Sequence, residues 1–278
     1  MFHWLIEMDE SSTGSFDAAV DRYDNDEHAN RVLAHMRARV WAQMDRAFDR
    51  SSRLLELGSG TGTEAARLAS EKRCQIALVD VAPQLLNRAT AKLRSANPEG
   101  VLGAHQLAAR QINDLVEVYG RNFFDGAYST FGPLNCEPDL HPVADGLAQL
   151  LRSKAPLIVS IINRFCPPEV GWYLLHGDWT NATRRFRSGV QAAAFAGGPK
   201  DIATWYYSHR DITRAFSGSF VLESVEALPL LWPPPYLDFV VGRFPRTFQM
   251  LERLETRTSR LPVLRGWGDH VLMRLRRR

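Results

Sequence analysis

"RLLELGSGTGTEAARLA", residues 53–69, places a short apolar run, a turn with alternate glycines and a helix-like run in immediate succession. Alternate glycines let the main chain approach a ligand closely. The helix that follows such a turn offers free N–H groups at its positive end. A strand, a bare turn and a helix in this order favour an α/β fold that binds a ligand over the turn.

Strand and helix patterns alternate on both sides of this stretch. Apolar residues at Leu33, Met36, Val40 and Met44 recur at helical spacing and predict a helix before the first strand. Further strands are predicted at 75–80, 101–108, 123–130 and 155–163, with helices at 82–96, 111–118 and 143–153 between them. Short links between such elements imply right-handed crossovers. We therefore expect a doubly wound, mostly parallel sheet covered on both faces.

The alternation breaks after residue 164. Residues 164–207 are rich in aromatic residues and arginine, and predict irregular helices inserted above the sheet as a substrate cover. Strands are predicted again at 220–228 and 269–275, separated by a proline-stiffened loop and an amphipathic helix. With no repeat and no low-complexity linker, residues 1–278 should form one domain. We assign the cofactor-binding core to 16–163 and the cap to 164–207 and 229–262.

The composition is that of a soluble globular protein, with 45% hydrophobic and 23% charged residues among 278. The opening shows no secretory signal, and no apolar run approaches the ~20 residues of a membrane-spanning helix. Three cysteines without paired spacing disfavour structural zinc and fit a reducing compartment. We expect a cytoplasmic monomer or homodimer.

The net charge of +3 is unevenly placed, because arginines recur after residue 240. They form either a solvated face with a frayed tail or a surface that attracts an anionic substrate or a membrane. A nucleic-acid partner is not expected, because no nucleic-acid motif is present and these arginines lack interleaved aromatic residues.

A carboxylate after the glycine turn narrows the choice of ligand. Asp80 ends the second predicted strand, about 20 residues beyond the turn, where it could accept both ribose hydroxyls of a nucleotide-like ligand. This separation along the sequence is compatible both with dinucleotides and with other adenosine-containing ligands. Glu56 is followed by Gly58, Gly60 and Gly62, a G-x-G-x-G string, whereas dinucleotide binders usually keep two residues between the second and third glycines.

This acidic residue, glycine turn and second carboxylate resemble motif I and its sequel in class I S-adenosylmethionine-dependent methyltransferases. Three further stretches resemble the same family: "FDAAVDRYDND", "FDGAYSTFGPLNC" and "LAQLLRSKAPLIVSI". The resemblance covers 16–163 and returns over the last two strands. It implies a Rossmann-like, seven-stranded, mostly parallel sheet with an antiparallel last strand. It also implies S-adenosylmethionine as cofactor and S-adenosylhomocysteine as product.

The resemblance also implies residue roles. The glycines would line the methionine part of the cofactor, Glu56 would steady the loop or reach the amino group through water, and Asp80 would hold the ribose. Tyr23 would cover the cofactor and Ser129 would face its reactive end. The cofactor contacts expected in this way are Tyr23, Glu56, Gly58, Gly60, Gly62, Asp80, Val81, Ala109, Arg110 and Ser129. "LAARQ" lacks the family's acidic residue near the adenine, and "RSKAP" replaces its P-G-G turn.

The acceptor would lie among the loops after the fourth and fifth strands and the cap, the usual sources of acceptor contacts in this family. The expected substrate contacts are Phe131, Asn135, Asn163, Trp172, Tyr206 and Tyr236. An aromatic cap favours a small apolar or aromatic acceptor, methylated at O, N or C, although core packing explains many of these residues equally well.

Methyl transfer is an in-line displacement, so a base is needed only where the acceptor must lose a proton. We name His176 and His209 as candidate bases; His141, Asp178 and His270 are further candidates. Direct transfer needs no covalent intermediate, so Cys136 is interpreted as pocket lining. No metal site is expected, although magnesium stays possible for a phosphorylated acceptor.

Two alternative functions stay open. One is a nicotinamide-dependent oxidoreductase on a similar sheet, against which the glycine spacing argues. The other is a non-catalytic cofactor-binding protein whose basic surface serves a partner or a membrane.

Overall fold

A computed structural model describes residues 29–187, 191–192 and 203–278, so Tyr23 lies outside the described residues. The strands are β1 (Arg53–Leu57), β2 (Gln75–Asp80), β3 (Val101–Gln106), β4 (Gly126–Ser129), β5 (Pro156–Ile162), β6 (Gln191–Ala192), β7 (Ala203–Thr204), β8 (Phe220–Leu228) and β9 (His270–Arg277). The helices are α1 (Arg31–Ala47), α2 (Thr63–Lys72), α3 (Pro83–Ala96), α4 (Leu115–Tyr119), α5 (His141–Leu150), α6 (Pro167–Leu175), α7 (Trp179–Ala182), α8 (His209–Phe216), α9 (Asp238–Arg243) and α10 (Pro245–Thr258).

Seven strands form one sheet in the order β3-β2-β1-β4-β5-β9-β8. Strands β1 to β5 pair in parallel, and β9 runs antiparallel to both of its neighbours. The predicted doubly wound sheet with an antiparallel last strand is confirmed. Strand order reverses between β1 and β4, and ligands of open α/β sheets bind at such a switch point, beyond the carboxyl ends of the strands.

The apolar core lies on both faces of this sheet. Leu55 and Val159 belong to the cluster on one face, and Leu54 and Ile158 belong to the cluster on the other; all four are fully buried. Because helices cover both faces of the sheet, the strand sequences are continuously apolar and do not alternate between apolar and polar residues.

Helix α1 covers the second cluster, as its apolar spacing predicts. Met36, Val40 and Met44 are fully buried, and the Asn30 side chain accepts the Leu33 N–H to cap the helix. Helix α10 is joined to α1 by a hydrogen bond in which Arg39 of α1 donates to Glu255 of α10 at 2.6 Å. Part of the predicted 229–262 cap segment therefore borders α1.

Element boundaries differ from the sequence expectation around β4. The predicted strand 123–130 is shorter in the structure, and Phe124 outside it forms an isolated bridge with Leu151. The predicted helix 111–118 divides into a 3-10 turn, Ala109–Asp114, and α4. Above the sheet, α6, α7 and the β6–β7 pair occupy the predicted insertion. No helix among the residues placed by the structure is long and apolar enough to span a bilayer.

Candidate cofactor and acceptor site

The three glycines of the turn all have positive φ, at +71°, +50° and +77° for Gly58, Gly60 and Gly62. A Cβ on Gly58 would lie 2.2 Å from the Pro133 side chain, and one on Gly62 would lie 2.7 Å from Ala89 Cα. A Cβ on Gly60 would meet nothing within 4 Å. The outer glycines are thus required for packing within the chain, while Gly60 leaves open space in which a ligand can approach the main chain.

Asp80 fastens the turn to the carboxyl end of β2. Its Oδ2 accepts the Gly60 N–H at 2.8 Å and its Oδ1 accepts the Ala82 N–H at 3.0 Å. The carboxylate is buried at the edge of the open space. Each of its oxygens has a second lone pair, so binding a ribose hydroxyl does not require breaking either main-chain bond.

Glu56 lies buried beneath the turn, and burial raises its pKa well above the usual value, helped by the nearby charges of Glu64 and Asp80. Glu56 Oε2 and Ser59 Oγ are buried and find no hydrogen-bond partner within the described part of the chain. Unpaired buried acceptors are costly, so these two atoms fit a site that a polar, cationic group completes. S-adenosylmethionine carries such a group, its ammonium, and the residues present therefore fit this cofactor.

Two contacts that the sequence did not predict support the turn. Lys92 donates to the hydroxyls of Thr61 and Thr63 at 3.2 and 3.3 Å. Arg37 forms a buried ion pair with Glu64 at 2.8 Å. Only the ion pair could have been predicted from the sequence. Arg37 falls within the apolar stripe of α1, where a buried charge without a partner would be unfavourable.

Four other predicted cofactor residues, Val81, Ala109, Arg110 and Ser129, lie at or after the ends of neighbouring strands. Ser129 is fully buried and donates to Leu57 O at 2.9 Å. Arg110 follows Ala109 in the 3-10 turn after β3 and forms an ion pair with Glu137 at 3.1 Å. Val81 directly follows β2, next to Asp80. Contact of these residues with a cofactor stays a prediction.

Two predicted acceptor residues are occupied in holding loops together. Asn135 Nδ2 donates to Ile162 O and Trp205 O, and its Oδ1 accepts the Ile162 N–H at 2.8 Å. Asn163 Nδ2, which has two N–H donors, lies within hydrogen-bond distance of three main-chain oxygens, one of them Gly268 O at 3.0 Å. Both amides therefore shape the edge of the sheet, and an acceptor contact through them stays a prediction.

A buried ionic network anchors the cap to the start of β9. Arg185 donates from Nε to Glu169 at 2.8 Å and from Nη2 to Asp269 at 2.5 Å. Burial would raise the pKa of both carboxyl groups, but the Arg185 guanidinium outweighs it, with Arg184 acting on Glu169 as well, and holds both values below their usual range. Arg185 is fully compensated in charge, so the network fixes the cap in position.

Two of the aromatic residues predicted to contact the acceptor lie against this network. The Tyr236 hydroxyl donates to Glu169 at 3.0 Å, and the Tyr206 ring lies 5.6 Å from the Arg185 guanidinium carbon. Trp172 is half-buried in α6 and contacts the ring of Phe239 at 5.9 Å between centroids.

The candidate histidines lie in different places. His176 is exposed and its Nδ1 lies 2.8 Å from Trp172 O. His209 begins α8, where burial and then Arg265 lower its pKa. His270 is the first residue of β9, pairs with the last residue of β5, and lies buried at the edge where the parallel strands end. Its Nδ1 lies 2.8 Å from Asp269 Oδ2.

His270 is the histidine that the structure brings to the loop after β4. Its ring lies 6.3 Å from that of Phe131, and the Arg37 guanidinium carbon lies 5.3 Å from the centre of the same Phe131 ring. No sequence motif predicts that His270 lies beside Phe131, because this proximity depends on the antiparallel pairing of β9 with β5. Neither His176 nor His209 contacts Phe131 within the part of the chain that the structure describes.

The surroundings of Cys136 disfavour its thiolate form. Burial, and then the charges of Glu137 and Asp80, raise the pKa of the Cys136 thiol to about 12, so the thiolate nucleophile is disfavoured. Within the described ranges there is no cluster of three or more His, Cys, Asp or Glu residues that could hold a metal ion.

A family model described as a methyltransferase domain matches residues 54–154, which contain the glycine turn, Asp80 and the end of β4. A comparison with curated proteins finds no match.

Several solved structures similar to the chain are methyltransferases of low sequence identity, and another is the [4+2]-cyclase SpnF. A chain in the complex of the Haloferax volcanii Trm112 methyltransferase activator with a methyltransferase matches at TM-score 0.56 and 16% identity, covering 94% of this chain and 96% of that one. An S-adenosylmethionine-dependent methyltransferase of Listeria monocytogenes matches at 0.54 and 16%, covering 87% and 97%. Geranyl diphosphate methyltransferase, solved with GPP and sinefungin, matches at 0.54 and 13%, covering 86% and 77%.

These likenesses establish the fold, and the domain match covers the segment that builds the turn and the switch point of the sheet. Residues 54–154 match a methyltransferase domain, and the sheet has the fold of solved S-adenosylmethionine-dependent methyltransferases.

Proposed function

We propose that the protein transfers the methyl group of S-adenosylmethionine to a small, apolar acceptor. The observation that carries the donor side is the bare main chain at Gly60, held by Asp80 beside open space at the switch point of the sheet. The cofactor supplies an electrophilic methyl group on a sulfonium. Asp80 would accept its ribose hydroxyls, and Glu56 with Ser59 would face its amino acid part.

The proposal of an apolar acceptor rests on the side chains beyond β4 and β5. Phe131, Trp172 and Tyr206 are aromatic. The charges beside two of these rings are paired, since Arg185 next to Tyr206 binds Glu169, and Arg37 next to Phe131 binds Glu64. A pocket lined in this way favours apolar ligands placed by a few polar groups. The similar fold of a methyltransferase that was solved with GPP is compatible with such an acceptor.

For an acceptor that must lose a proton, we propose His270 as the general base in place of His176 and His209. Asp269 accepts from Nδ1–H and thereby selects the tautomer in which Nε2 is free to take a proton. Arg185 holds Asp269 from its other oxygen, so the carboxylate is fixed in orientation. An acceptor carbon or unprotonated amine would need no base, and His270 would then only shape the site.

The experiment that tests the acceptor is incubation of the protein with methyl-labelled S-adenosylmethionine and pools of small metabolites, followed by mass spectrometry of labelled products. We expect label in an apolar or aromatic product from the wild type, and none from the Gly60→Ala variant. Label found only in polar products would contradict the proposed acceptor class.

The alternative functions are separated by ligand-induced stabilisation. S-adenosylhomocysteine should raise the melting temperature, while NAD and NADP should not. Stabilisation by NAD or NADP alone would favour an oxidoreductase. Stabilisation by S-adenosylhomocysteine with no labelled product from any pool would favour a non-catalytic cofactor-binding protein.

A further inference from the structure

Helix α10 carries an exposed face that the proposed reaction does not use. Arg246, Met250, Arg253, Leu254 and Arg257 recur at intervals of three and four residues, which places them on one side of the helix. All five are exposed, Met250 by 76% and Leu254 by 50%. We call these five residues the arginine face.

The charge of the arginine face is uncompensated. None of its three guanidinium groups forms an ion pair or a side-chain hydrogen bond with another residue of the described ranges. The acidic residues of α10 point elsewhere. Glu252 lies 3.7 Å from His35, and the buried Glu255 pairs with Arg39 at 2.6 Å.

Apolar side chains continue the arginine face along the chain. Phe239 in α9 is 62% exposed and Phe244, between α9 and α10, is 55% exposed. Exposed large apolar side chains next to unpaired arginines are typical of surfaces that lie on a bilayer. Phe239 also contacts the ring of Trp172, a residue proposed to contact the acceptor.

We propose that the arginine face binds the surface of an anionic phospholipid membrane. Arginine donates to phosphate oxygens in bidentate geometry, and an anionic leaflet attracts each arginine near its surface. Met250 and Leu254 lie among the arginines, and a helix lying on a bilayer would bury such apolar side chains at the headgroup–acyl boundary. A nucleic acid would satisfy the arginines but leave these two side chains in water, so the membrane is the favoured partner.

The test is co-sedimentation of the full chain with phosphatidylcholine vesicles, with and without one-third phosphatidylglycerol. We expect binding only to the anionic vesicles. It should weaken between about 0.1 M and about 1 M salt, because the Debye length falls from about 10 Å to about 3 Å. Each arginine near the surface strengthens binding by about fivefold. The triple variant Arg246→Ala/Arg253→Ala/Arg257→Ala should therefore bind about a hundredfold more weakly.

A matched control removes three exposed arginines outside the arginine face, Arg46, Arg94 and Arg121, by substitution with alanine. It loses the same net charge and should keep most of the binding. Circular dichroism should show both triple variants folded, since exposed substitutions rarely affect stability strongly. Absence of wild-type binding to anionic vesicles, an equal loss in the control, or binding to single-stranded RNA without binding to vesicles would overturn the proposal. Each of these outcomes is independent of whether methyl transfer is found.

Discussion

Substitution of Gly60 and of Gly62 by alanine should separate ligand binding from folding. Both glycines have positive φ, so alanine costs about 1–2 kcal/mol of backbone strain at either position. At Gly60 the new methyl group meets nothing within 4 Å, and this strain is the whole cost. At Gly62 it meets Ala89 Cα at 2.7 Å, which adds about 1–3 kcal/mol of overpacking.

The assay is urea denaturation of both variants and of the wild type, each with and without S-adenosylhomocysteine. A ligand at about one hundred times its Kd stabilises the wild type by about 2.7 kcal/mol. Gly60→Ala should keep most of its stability and lose this increment, because the methyl group fills the space left for the cofactor. Gly62→Ala should lose more stability than Gly60→Ala.

Two results would refute this reasoning. Full stabilisation of Gly60→Ala by S-adenosylhomocysteine would mean that the open space at Gly60 is not the cofactor site. A loss of stability in the ligand-free Gly60→Ala variant as large as that in Gly62→Ala would mean that Gly60, too, is required for packing.

Three further substitutions test the buried charges. Arg185→Met leaves Asp269 and part of Glu169 uncompensated and should cost about 3–5 kcal/mol in urea denaturation; a cost below about 1 kcal/mol would contradict the anchoring role. The pKa of Glu56 is raised in the folded state, so its contribution to stability is present below pH ~4.5 and is lost as pH rises. Glu56→Gln should therefore gain stability relative to wild type between pH 4 and pH 7, and a relative loss would show the opposite sign. His270→Asn should lower kcat for a protonated acceptor by about 10²–10⁴-fold, and an unchanged kcat would exclude it as base.

The sheet could be predicted from the sequence because each strand carries a local signal. Residues 75–80 and 155–163 are continuous apolar runs between helical patterns, and β2 and β5 lie there. The limits of β4 could not be predicted, since they depend on its pairing with β1 and β5, which are distant in sequence. Pairing with a distant residue leaves no periodic pattern of its own.

The candidate site could be predicted in part. The glycine turn and Asp80 form one local motif, so the sequence located them, but the different requirements at Gly58 and Gly60 depend on Pro133, far along the chain. The Asp269–His270 pair is adjacent in sequence, yet its place beside Phe131 follows from the antiparallel return of β9. Side-chain contacts with the acceptor stay predictions for the same reason.

The measurement that tests the central claim most directly is calorimetric titration of S-adenosylhomocysteine into the wild type and the Asp80→Ala variant, with NAD as the control ligand. The wild type should bind S-adenosylhomocysteine at a single site and give no heat with NAD. The variant should bind at least about tenfold more weakly, because a charged hydrogen bond of about 1.5–3 kcal/mol is lost. No binding of S-adenosylhomocysteine by the wild type, or equal binding by the variant, would contradict the assignment of the glycine turn and Asp80 as the cofactor site.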